Sequence, residues 1–234
     1  MPAEEMQVRV DRRTVTRIPA WTVVVIVVLH LFWRATDALD LPGEVVWRRL
    51  SNVDVETTFP TWLSMVLFVA NAVLAWLLGR DEKLRAGRYV RHWYFLAVVL
   101  VALSVDEIAA IHEAVTPRLR GLLGLSGVFY YAWVIPALVL VALLGLVFVR
   151  FVFDMPRHIR NRVLVAGISF VAAAVGLEMV AGTFAGTESR EGLAYFLIAT
   201  VEEVVELGAL ILLVDTFVLH LSERRPAIRL SFEP

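Results

Sequence analysis

The stretch "LSVDEIAAIHEAV", Leu103 to Val115, decides how the chain is read. It places Asp106, Glu107, His112 and Glu113 within eight residues, at the end of an apolar run that starts near His92. Crossing a bilayer as a helix takes about 20 mostly apolar residues, and the segment from 92 to 114 is that long. Each charge near mid-bilayer costs at least about 2.5–3.5 kcal/mol. A membrane helix with this ending needs a reason for its acids.

The surroundings support the membrane reading. The 234 residues are 59% hydrophobic and 19% charged, with a mean hydropathy of +0.73. Soluble domains carry a smaller apolar share and more charge. The absence of cysteine excludes disulfides, thiolate metal sites and a cysteine nucleophile. A net charge of −1 gives no basic field for nucleic acid. The single lysine, Lys83, lies in a charged loop, which excludes a retinal Schiff base within the membrane.

Six segments are long and apolar enough to span: about 18–36, 60–79, 92–114, 128–152, 162–185 and 193–220. The expected fold class is therefore all-α integral membrane, a six-helix bundle. Residues 1–17 form a cytoplasmic N-terminal segment, 18–220 the membrane domain and 221–234 a cytoplasmic tail. "HLFWRATDALD" after the first apolar run has no small-residue cleavage site, so this span reads as a retained anchor. Pro136 is expected to kink span four, and Thr57 or Thr58 to cap span two, which Pro60 opens. "EVVWRRLSN" (44–52) reads as a surface helix in the longest connection.

Orientation follows from the basic residues. With the N-terminus inside, 16 of the 22 arginines and lysines fall on the cytoplasmic side and 6 on the other. That bias predicts N-in/C-in topology. "SVDEIA" (104–109) and "TVEEVV" (200–205) also echo each other, which raises the expectation of two inverted three-helix repeats.

With this topology the acids of spans three, five and six share one layer in the outer half. Glu178 of "VGLEMVAG" joins Asp106, Glu107, His112 and Glu113, together with Glu202, Glu203 and Glu206 of "VEEVVEL". On an unbroken helix Asp106 and Glu113 lie within about 20° of each other, while His112 lies about 120° away from Asp106. Ala172, Gly176, Gly182 and Gly186 give span five a small-residue seam for close packing. Asp215, deep in span six, has no identifiable partner.

Protons, water or bound cations can compensate such a cluster. Carboxylates with an imidazole suit Fe, Mn, Zn, Mg or Ca. The expected metal ligands are Asp106, His112, Glu113, Glu178, Glu202 and Glu206, with Glu107 and Glu203 as the carboxylates that move protons. This points first to a metal-dependent membrane enzyme, a hydrolase or oxidoreductase acting on a lipid or isoprenoid-type substrate. A divalent-cation or proton-coupled transporter is the alternative, and a structural subunit of a membrane complex the third reading. The expected partners are the lipid bilayer and a lipid-like substrate or transported cation. The expected location is the cytoplasmic membrane of a prokaryote.

Overall fold

A computed structural model describes residues 6–8, 11–39, 46, 50–53, 55, 58–185, 192–225 and 228–230. The described chain is helical apart from one short strand pair. Strand β1 (Met6–Val8) runs antiparallel to β2 (Ile228–Leu230), joining the two ends of the chain. Between them lie α1 (Arg12–Ala38), α2 (Phe59–Leu84), α3 (Val90–Ala109), α4 (Ile111–Leu123), α5 (Val134–Phe153), α6 (Arg157–Val171), α7 (Glu178–Ala185) and α8 (Leu193–Arg224). A π-helical turn, Ala172–Leu177, fuses α6 to α7 into one membrane-length rod. Among the described residues six helices are long and apolar enough to cross a membrane, and the chain is a multi-pass membrane protein.

Helices α2 and α8 form the centre. Leu67, Phe68, Ala75 and Leu78 of α2 meet Leu207, Leu210, Val214 and Phe217 of α8 in the main core, which Trp93 of α3 and Ile26 of α1 complete. In lipid this association comes from van der Waals packing and polar ties, because the tails are as apolar as the side chains. Asn71 is such a tie: its amide donates to Leu67 O at 3.0 Å and across the interface to Leu210 O at 3.1 Å. Gly79 lets α3 approach, since a β-carbon there would come within 2.9 Å of the Tyr94 ring. By contrast α5 buries little beyond Val134 and Phe151 and stands at the periphery.

Local signals explain the helix ends. Asp11 caps α1, accepting from the Arg13 N–H at 3.2 Å and the Thr14 hydroxyl at 2.7 Å, which holds its carboxyl below the usual range. Thr58 does occupy the N-cap of α2 with Pro60 in the first turn, but its hydroxyl donates to Val55 O and makes no cap bond. Pro136 does not kink span four. It sits in the first turn of α5, where no N–H is needed. The surface helix expected at 44–52, like Thr57 and Gly186, lies largely or wholly outside the described residues.

The end of the bundle where α1 begins and α8 ends is tied by ion pairs. Asp215 is not alone: Arg12 Nε and Nη2 reach it at 2.6 and 2.5 Å, and Arg162 also binds it. Asp81 meets Arg85, Arg224 and Arg225 at 2.9, 3.1 and 2.6 Å, and Glu82 meets Arg224 at 2.5 Å. His158 pairs with Glu223 at 2.9 Å. Between α2 and α3, Tyr89 donates to Asp154, and that bond pushes the phenol pKa up.

Candidate functional site: an acidic layer across three spans

Span three is not one helix. It breaks at Ala110, whose φ of 49° and ψ of 41° are left-handed, and α4 departs in a new direction. The break brings Asp106 and His112 together, which an unbroken helix forbids. Asp106 Oδ1 accepts the His112 backbone N–H at 3.1 Å, and Oδ2 lies 2.8 Å from Nδ1. Asp106 thus caps the new helix and fixes its histidine, with Nδ1 carrying the hydrogen. The same break separates Asp106 from Glu113, which lies exposed in the first turn of α4. The shared face expected for those two acids does not form.

From His112 the contacts lead inward. Its ring packs on Trp133, centroids 4.8 Å apart, and the Trp133 indole N–H donates to Glu178 Oε1 at 3.4 Å. Glu178 comes directly after the π turn. Such turns carry one extra residue, rotate the helix beyond them and recur at functional sites. The Glu178 carboxyl stands in hydrogen-bonding contact with that of Glu202, which is only 9% exposed. Glu203 and Glu206 lie within electrostatic reach of this pair.

Glu107 closes the layer from α3. It bonds Ser64 of α2, and lies within electrostatic reach of His112, Asp106 and Glu206. Of the residues singled out in the sequence, Glu107, Glu178, Glu202, Glu203 and Glu206 come together. Asp106 and His112 border them as a clamped pair, and Glu113 stays outside. Among the described residues no three His, Asp or Glu side chains are arranged to hold a metal ion.

His30 is a different kind of residue. It is 1% exposed and stacked on Phe196 at 4.6 Å, and its Nδ1 lies 3.1 Å from both the Trp33 indole nitrogen and the Ser51 carbonyl oxygen. Its Nε2 lies 3.1 Å from the Thr200 hydroxyl, which also donates to Phe196 O at 2.7 Å. That network fixes α1 against α8 and makes His30 a packing residue. Trp133 and Ser64 are the site residues that sequence reasoning missed. The role of each depends on residues distant in the chain, and neither carries a local signal.

No curated protein and no solved structure matches the chain. A family does match, over residues 19–221, which covers four of the six spans whole, most of the first and last, and every acid of the layer. The chain belongs to that family, described as Domain of unknown function (DUF8692).

Proposed function

We propose that the chain is a proton-coupled membrane transporter with Glu178 and Glu202 as its coupling site. The observation that carries this reading is the direct contact between those two carboxyls on separate spans. A hydrogen bond between two carboxyl groups requires a proton on one of them. That shared proton is the one exchanged, and Glu206, Glu203 and Glu107 extend the path around it. Intramembrane acids facing a bundle interior are the usual elements of proton relays. The π turn beside Glu178 supplies a place where the helix can shift register.

The test is proton uptake into proteoliposomes holding a pH-sensitive dye under an imposed membrane potential. Wild type is expected to acidify the lumen, Glu202→Gln to lose that activity, and the exposed Glu113→Gln to keep it. Equal rates in wild type and Glu202→Gln would sink the proposal.

A divalent-metal enzyme is the second reading. It is favoured by three carboxylates, Glu107, Glu178 and Glu203, each within electrostatic reach of Glu206, although no three acids among the described residues are arranged to hold an ion. Hard oxygen donors of this kind suit Mn, Fe, Mg, Ca or Zn. Elemental analysis separates the two: bound metal that disappears in Glu206→Ala would replace the proton reading.

We further infer N-in/C-in topology from the 16-to-6 split of basic residues, in the cytoplasmic membrane of a prokaryote. The inverted-repeat reading is supported by the way the two echoing stretches, on α3 and α8, contribute acids to one layer.

A further inference from the structure

A cavity of about 730 Å³ opens on the bundle surface beside the acidic layer. Its walls come from α4, the turn before α5, and α7, and include Arg120, Ser126, Gly127, Tyr130, Gly182 and Thr183. Gly182 lies one helical turn beyond Glu178, so the cavity adjoins the proposed coupling site. Close approach makes the wall continuous: a β-carbon on Gly182 would sit 3.0 Å from Gly127 O.

Among the described residues the lining contains one cation and no acid. The Arg120 guanidinium carbon lies 4.1 Å from the centre of the Tyr130 ring, a cation–π contact. Among the described residues no carboxylate pairs with it, in contrast to the arginines bound to Asp81 and Asp215 at the other end. A guanidinium resting on an aromatic ring keeps its fork of N–H donors, which fits phosphate oxygens. The Ser126 hydroxyl supplies a further donor. The rest of the wall is largely apolar, including Pro117 and Leu125.

Helix α4 adds the membrane context. Ile111, Val115 and Leu122 are 48, 39 and 82% exposed, while Arg118 and Glu113 are exposed beside them. A helix with that mixture suits the interfacial region, at headgroup depth. At that depth the cavity mouth would face headgroups, and its volume falls within the usual range for small-ligand sites, about 300–1,000 Å³.

We propose that this cavity binds a phosphate group carried by a lipid-like chain, with Arg120 on the phosphate and the apolar wall along the chain. It deepens the transporter reading by naming a ligand class, and rests on that reading for the use of the ligand, though not for its binding. The experiment is calorimetric titration of the whole protein in amphipol with three probes: dihexanoylphosphatidylglycerol, dihexanoylglycerol and inorganic phosphate. Wild type is expected to bind the phospholipid about tenfold or more tightly than the phosphate-free diacylglycerol, as a charge-assisted bond predicts. Arg120→Gln should lose that preference, and Arg120→Lys should keep part of it.

Gly121→Leu gives an independent variant, because a β-carbon at Gly121 meets nothing within 4 Å and the side chain would fill the cavity. It should weaken phospholipid binding with Arg120 intact. Inorganic phosphate binding as tightly as the phospholipid would support the anion site while assigning it to free phosphate. Phospholipid affinity unchanged by both Arg120→Gln and Gly121→Leu, or equal affinity for the diacylglycerol, would overturn the proposal. Phospholipid binding that persists in Glu202→Gln while proton uptake is absent even in wild type would remove the transporter reading alone.

Discussion

Asp106 spends its two oxygens on one histidine, and that choice determines the course of the chain after span three. Replacing Asp106 by alanine removes a helix cap, a loss of about 0.5–2 kcal/mol. His112→Ala removes the ring contact but leaves the backbone N–H capped. A double-mutant cycle on melting in detergent should show coupling of about 0.5–3 kcal/mol, as residues in direct contact do. Additive effects would mean that the pair does not act as a clamp. The pair was illegible in the sequence for a physical reason. Residues six apart on a continuous helix point about 120° away from each other, and a left-handed break normally advertises itself with glycine or asparagine. Here the break is at an alanine. Asp215 was illegible in another way, since its partner Arg12 lies 203 residues away.

At the scale of elements, the π turn Ala172–Leu177 is the feature that aims Glu178. Deleting Ala172 should restore α-helical register and rotate the α7 side by about 100° relative to α6. The expected result is a folded, membrane-inserted protein that has lost the Glu178–Glu202 contact. Infrared difference spectra on a pH jump should then lack the same protonated-carboxyl band that Glu178→Gln lacks. A band that survives the deletion would show that the turn does not position the pair. The sequence marked this helix as closely packed through its small residues, and Gly182 does allow close approach, whereas Gly176 meets nothing within 4 Å. Six small or apolar residues in a row give no periodic contrast, so one inserted residue leaves no trace in the pattern. The existence and length of the spans were readable for the opposite reason. Bilayer thickness demands a long apolar run whatever its fine geometry.

Across the whole molecule the charges divide by end. Arginine-paired acids (Asp81, Glu82, Asp215) gather where α1 begins and α8 ends, while Glu107, Glu178, Glu202, Glu203 and Glu206 gather toward the opposite end. The sequence revealed this division because depth along a span depends only on counting residues from its ends. It did not reveal which acids touch, because that depends on helix rotation. The orientation of the division is testable in a chain with no cysteine, where a single introduced thiol is the only one present. Ser126→Cys, in the exposed turn before α5, should react with a membrane-impermeant maleimide on intact cells. Arg88→Cys, in the exposed turn between α2 and α3, should react only after permeabilisation. The reasoning is electrostatic: translocating the 16 basic residues of one set of loops costs more than translocating the 6 of the other. The reverse labelling pattern would place the Glu178–Glu202 pair and the Arg120 cavity toward the cytoplasm. Protons and ligand would then be drawn from the inner side, and the uptake experiment would have to be run with the opposite potential.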